Sequence, residues 1–269
     1  MTEPVLSDGR QLLIATRYQL QSYLRTYRFL AMIIFVIVVG SLLFGVLSYL
    51  VHSGRISAPS DSSTFLVGYL TLLALIVYFS AALLGGDAIS TDFGARTGYY
   101  TLVLPIRRRV LLLGRYGAAV LATFLVAVLF YVFAVASDIY FTGSVPVAGL
   151  LGSIAVTLLF CAAAVALAFF FSSIVKTPAL SILLTVLMLF VFLPLVVTLI
   201  TAEANIEPWF SLTYAAAAIS EPIVSVPHEA AFGGGFSPYL WEGLVIMAAY
   251  LVVFLLFSYI VYEFKESSG

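Results

Sequence analysis

GGDAISTDFGARTGYYTLVLPIRRRVLLLGRY, residues 85–116, is the one long polar and basic interruption between two apolar blocks. Asp87, Asp92, Arg96, Arg107, Arg108, Arg109 and Arg115 crowd into it. A segment so charged cannot lie in hydrocarbon, where each ionised group is costly, so it sits in water or among lipid headgroups. It is the place where a soluble partner can grip a protein whose other parts are in the membrane.

Outside that stretch charge is scarce. Hydrophobic residues make up 63% of the 269-residue chain and charged ones 9%, with a mean hydropathy of +1.15. Soluble domains carry roughly a quarter charged residues, so this is an all-α polytopic membrane protein. The arginines are juxtamembrane and not arrayed on a soluble face, which excludes nucleic acid as a partner. Cys161 is the only cysteine and lies in an apolar run, where it reads as a small buried hydrophobe; no disulfide can form within the chain.

About 20 apolar residues cross a hydrocarbon core of about 30 Å. By that rule residues 1–269 form a single transmembrane domain with spans at 29–51, 65–86, 116–137, 147–171, 178–201 and 243–262. The first run is longer than a signal-peptide core and lacks a small-residue cleavage site, so it is read as retained. The fourth span starts after the turn-like Thr142, Gly143, Ser144 and Pro146. Of the 12 lysines and arginines, only Arg55 falls on one side of these spans. The positive side faces the cytoplasm, which places residues 87–115 in a cytoplasmic loop and both termini inside a cell membrane.

Two flanking segments are distinctive. Residues 7–28 put Leu13, Leu20, Leu24 and Tyr27 on one helical face, with Arg10, Arg17, Arg25 and Arg28 around the rest; Ser7 or Asp8 can cap the start. This is the pattern of a helix lying in the interface, its arginines on lipid phosphates. Residues 203–242 contain no Lys or Arg but mix Glu203, Glu207, Glu221, Glu229 and Glu242 with Trp209, Phe210, Tyr214, Tyr239 and Trp241. The blend suits an outer interface. Pro208 can open a short helix through Ser220, and we expect short, partly re-entrant helices on the outer rim.

Candidate chemistry is sparse. No span has a charge near its middle, which weighs against proton- or sodium-coupled transport; Asp138, at the outer end of the third span, reads as a solvated cap. His52 and His228 are far apart in outer loops, so no metal-ligand cluster can be assembled. No HExxH occurs, and the serines in the spans have no embedded histidine to activate them, so no catalytic residue is assigned. A GxxxxGK[ST] phosphate loop is also missing. If the protein uses ATP, a partner binds it.

The organising stretch resembles the loop after the second span of type-2 ATP-binding-cassette (ABC) transporter permeases, above all the archaeal and bacterial multidrug-type members. The matching elements are Asp87, Ile89, Ser90, Asp92 and Phe93, then Thr97 with Gly98, Leu102 and Leu104, Pro105 with Arg107 and Arg108, and Gly114 with Arg115. Asp92 stands where many relatives have glutamate and Arg115 where lysine is commoner, and Gly94 loosens a helix at that point. The resemblance extends to the six spans, the cytoplasmic termini, the N-terminal interfacial helix and the external helices before the last span.

The resemblance implies a prokaryotic half-transporter. Two copies of this permease as a homodimer, or this one with a related chain, would join two ABC ATPase subunits that hold ATP and Mg, with no cofactor in this chain. Coupling to the ATPase would fall to Asp87, Ser90, Asp92, Phe93, Arg96, Thr97 and Gly98. Arg17, Arg25, Arg28, Arg107, Arg108, Arg109 and Arg115 read as headgroup or interface anchors. Tyr69, Tyr78, Phe79, Phe190 and Phe192 are candidates for a substrate path, with ordinary packing as their other reading. Ala81 with Gly85, and Ala82 with Gly86, permit close helix approach, within the chain or between copies. The alternatives to an ATP-driven exporter are an ATP-independent carrier or channel, which needs no partner, and a non-transporting scaffold.

Overall fold

The computed structural model describes residues 8–57, 59, 61–91, 108–204, 206–224 and 236–267. Among them there is no strand, and six helices are long and apolar enough to cross a membrane. The expected all-α polytopic architecture is therefore the one adopted.

Helix α1 (Asp8–Leu24) is polar and precedes the first span, α2 (Tyr27–His52). The chain turns between them at Thr26, whose backbone is extended and whose hydroxyl donates to the Ser22 carbonyl at 2.8 Å. The second span is interrupted: α3 (Ser62–Leu70) and α4 (Leu73–Gly85) meet at Thr71 and Leu72. Asp61 caps α3 by accepting from the Thr64 hydroxyl at 2.7 Å and the Thr64 amide at 2.9 Å, which together hold its carboxyl below the usual value. The third and fourth spans are α5 (Arg108–Thr142) and α6 (Val147–Ile174). They are joined by a turn where Gly143 takes φ 71°, a conformation that strains any side chain.

The fifth span begins with Pro178 and comprises α7 (Pro178–Leu187), a π turn (Met188–Phe192) and α8 (Leu193–Ala204). The π turn has a local cause. Pro194 has no N–H for the Phe190 carbonyl, and the Leu193 amide reaches back five residues to the Met188 carbonyl. After it comes a one-turn helix α9 (Leu212–Ala215), continued as a 3-10 turn (Ala216–Ile219), and then the sixth span, α10 (Leu240–Ser267). The helix expected from Pro208 instead starts after Ser211, whose hydroxyl accepts from the Thr213 amide at 3.2 Å. A hydroxyl at the N-cap satisfies an amide that proline at N1 leaves open.

Spans two, three and four form the buried centre, and spans one, five and six are mostly exposed at their surfaces. Phe130, Phe160, Phe169, Leu66, Leu73 and Ile76 are fully buried. The alanines of α6 from Ala162 to Ala168 are buried as well and let neighbouring helices come close. Ala81 and Ala82 are fully enclosed within the chain. A Cβ at Gly85 would touch Ala168 Cβ at 3.2 Å, so this small-residue face packs within the chain, against α6. Ile34, Leu42, Leu183, Leu195, Val252 and Leu256 face outward, as lipid-facing side chains of membrane helices do.

Asp138 is not a solvated cap. It is fully buried, accepting from the Ser62 hydroxyl through Oδ2 and from Thr142 Oγ1 at 2.8 Å through Oδ1. The hydroxyls come from the start of α3 and the end of α5, so the carboxylate ties the second span to the third. Nothing in the spacing of residues 62 and 138 signals this contact.

The outer segment 206–224 sinks between the spans. Leu212, Ala215 and Ala218 are completely buried, and the Tyr250 hydroxyl of α10 donates to the Phe210 carbonyl at 2.8 Å. A Cβ on Gly243 would lie 2.3 Å from Ala218 Cβ, an approach that no other residue at 243 allows without displacement.

Candidate functional site

Helix α5 has 35 residues, roughly 50 Å at about 1.5 Å per residue, well beyond the about 30 Å of a hydrocarbon core. Its surplus lies at the basic end and carries Arg109 and Arg115. Helix α1 lies along it, seated at Gly114, where a Cβ would come within 2.8 Å of Ala15 Cβ. Tyr23 of α1 is turned inward and buried, while Leu13, Leu24 and Tyr27 stay exposed alongside Arg17 and Arg25.

Below α4 the chain makes a tight turn from Asp87 to Thr91. The Thr91 amide and hydroxyl both donate to the Asp87 carbonyl, at 3.1 and 2.9 Å. Three helices hold this turn. Arg28 of α2 pairs with the Asp87 carboxylate. Arg115 of α5 donates to the Ala88 carbonyl at 3.2 Å. Ser172 of α6 accepts from the amides of Ile89 and Ser90 at 2.9 and 3.0 Å. Ile89 and Ser90 are buried by this arrangement.

A polar cleft of about 310 Å³ opens here, lined among others by Gln19, Tyr23, Arg28, Asp87, Thr91 and Arg115. Burial raises the Asp87 carboxyl above its ordinary value, and Arg28 offsets only part of that. Burial, with the Asp87 charge adding to it, also pushes the Tyr23 phenol up. An ionised acid held where burial opposes its charge is a costly arrangement, of the sort that gathers at functional sites.

Of the residues singled out for coupling, Asp87 and Ser90 sit in this turn, and Asp92, Phe93, Arg96, Thr97 and Gly98 lie outside the described residues. Among the basic anchors, Arg17 and Arg25 are exposed, whereas Arg28 and Arg115 are engaged with the turn. Arg109 donates to the Tyr259 hydroxyl at 2.7 Å and lies over its ring, joining α5 to α10. Arg107 and the side chain of Arg108 are outside the described residues. Ser172 was not legible as a site residue, since a serine ending an apolar run carries no sequence signal.

The five path candidates divide. Tyr78, Phe79 and Phe190 come together, with ring centres 5.8 Å apart for Tyr78–Phe190 and 4.4 Å for Phe79–Phe190. Tyr69 packs on Phe130 at 5.3 Å and donates to the Gly40 carbonyl at 3.0 Å, tying the first two spans together. Phe192 is half exposed, at 51%, and stands apart from them.

Residues 51–260 match the family model described as "ABC-2 family transporter protein". No curated protein matches the chain.

Proposed function

This chain belongs to the ABC-2 transporter family, and we propose that it is the permease of an ATP-driven exporter in a prokaryotic cell membrane, working as a homodimer with two separate ATPase subunits. Membership makes the chain a multi-pass membrane subunit of an ABC system and not its ATPase, and implies an ABC ATPase as partner. The direction of transport, the dimer and the coupling segment are our reading.

The observation that carries this reading is the triple tether of the Asp87–Thr91 turn. Any subunit gripping residues 92–107 pulls on a turn bonded to α2 through Arg28, to α5 through Arg115 and to α6 through Ser172. Movement of the gripped segment passes into three spans together, as a rigid-body shift and not as local bending. With the arginine-rich end in the cytoplasm, the grip faces the compartment that holds ATP. The exposed arginines of α1 hold that helix against anionic headgroups while the turn moves.

The test is to purify the tagged chain from its native host in mild detergent and identify the subunits that accompany it. A subunit bearing a phosphate loop is expected, with ATP hydrolysis in the complex, and both are expected to be lost in an Asp92→Lys, Arg96→Glu double variant that still folds. A chain that comes out alone and carries solute in liposomes without ATP would overturn the reading in favour of a secondary carrier.

A further inference from the structure

A second cleft of about 310 Å³ lies away from the basic end, where the two interrupted spans face each other. Leu70 and Thr71 come from the break in the second span, and Leu189, Phe190 and Pro194 from the π turn of the fifth and the proline that causes it. The third wall is the sunken outer segment, through Thr213, Ala217 and Ser220. Tyr78 closes the inner end. It lies roughly 24 Å along the second span from Ser62, at about 1.5 Å per residue, so the cleft reaches deep into the membrane.

Two features mark this cleft as a binding site and not a packing gap. Tyr78 is 2% exposed and its hydroxyl faces that of Thr213; neither buried oxygen meets any other protein partner, so bonding to each other still leaves one O–H without an acceptor. Buried hydroxyls nearly always find a partner, and an unmet one costs about 1–3 kcal/mol. Both residues line the cleft, and the spare O–H of the pair is its polar end. Both backbone irregularities also border it; a π turn leaves main-chain geometry open and recurs at functional sites.

The lining limits what can bind. Among the described residues that form the cleft there is no Asp, Glu, Lys, Arg or His. An unpaired charge at that depth would be heavily penalised. The volume is at the low end of the roughly 300–1,000 Å³ of small-molecule pockets. We propose that this cleft binds the exporter's cargo, and that the cargo is a small neutral amphipath. Its hydrogen-bonding terminus is taken by Tyr78 and Thr213, and its apolar body rests on Leu70, Leu189 and Phe190. Ions, phospholipid headgroups and charged peptides are excluded. The cargo role rests on the exporter reading above; the site's selectivity does not.

Photolabelling tests both parts. The full chain in nanodiscs is exposed to a diazirine-bearing long-chain alcohol, and to the same chain ending in trimethylammonium or phosphate. The alcohol is expected to label residues 70–78 or 189–194, about tenfold more than either charged probe. Tyr78→Phe and Thr213→Val, nearly isosteric changes, are each expected to lower that labelling about tenfold, the effect of one lost hydrogen bond of about 1.4 kcal/mol, with the thermal midpoint unchanged. In the complex with its ATPase, ATP turnover before irradiation should displace the probe and lower the labelling; a neutral lipid resident in the cleft would not be displaced, and that outcome overturns the cargo role. Equal labelling by all probes, or labelling indifferent to both variants, overturns the site. Selective labelling of a chain without ATP-driven release upholds the site and sinks the exporter reading, whereas indiscriminate labelling of an ATP-hydrolysing complex does the reverse.

Discussion

Asp138 is a fully buried acid and Asp87 a partly buried one, one at each end of the bundle, and they are held in different ways. Asp87 has a cationic partner, but burial still raises its carboxyl above the ordinary value of 3.8. The folded protein therefore binds that proton more tightly than the unfolded chain. Its contribution to stability is complete below the ordinary value and is lost as pH rises through the raised one. At pH 7 the ionised group costs stability, so Asp87→Asn should not lower the thermal midpoint there, and its stability should change less as pH rises from the ordinary carboxyl value than that of the wild type. Coupled ATP hydrolysis should fall in the same variant. A marked drop in midpoint at pH 7 would mean that the pair serves the fold. Asp138 has only hydroxyl partners, from Ser62 and Thr142. Asp138→Ala removes the carboxylate acceptor from both, leaving Ser62 only the Ser144 carbonyl and Thr142 the Asp138 and Ser144 carbonyls, and should cost about 1–3 kcal/mol in reversible unfolding. Asp138→Asn, which keeps one acceptor oxygen, should cost less, and equal losses would show that the hydrogen bonds are not what Asp138 contributes.

At the scale of the elements, the contact between α1 and α5 sets the geometry of the basic end. It depends on Gly114, because a side chain there meets Ala15 Cβ at 2.8 Å. Gly114→Leu should push α1 away, and hydrogen exchange should then rise across residues 8–24 while the spans keep their protection. Unchanged exchange in α1 would mean that the helix adjusts by sliding. The interruptions of the second and fifth spans are also properties of elements. Pro194 makes one visible in the sequence, but Thr71 and Leu72 carry no helix breaker. Thr71 instead bonds back to the Gly68 carbonyl at 2.7 Å, a local competitor of the helical ladder whose effect depends on the packing around it.

For the whole molecule, six traverses and the clustering of arginine at one end predict a definite orientation. A fluorescent protein fused after Gly269 should light up in the cytoplasm, and alkaline phosphatase inserted beside Arg55 should be active outside. The opposite pattern would reverse every functional assignment made for the basic end. The fold class and the number of spans were legible because apolar runs of membrane length are local. The basic stretch was legible because charge has so few places to go in this chain. The partners of the site residues were not. Arg28 and Asp87 are 59 positions apart, and Ser172 looks like any other serine in an apolar run. Asp138 was misread because its neighbours in sequence, Tyr140 and Thr142, suggest an exposed helix end, whereas Ser62 comes to it from another span.

What the sequence determined by itself is therefore the set of spans, their charge asymmetry and the family resemblance of the loop. The cost of placing each side chain in hydrocarbon depends on that side chain and its few neighbours, and it accumulates along the chain without reference to a partner. Only the tertiary structure decided which faces of the spans meet, how the Asp87–Thr91 turn is tied to three of them, and that two broken helices enclose a cleft ended by the hydroxyl pair of Tyr78 and Thr213. Helices apolar on nearly every side carry little periodicity to mark their inner face. Their pairing follows from small residues, hydroxyls and shape, which become informative only once the helices are side by side.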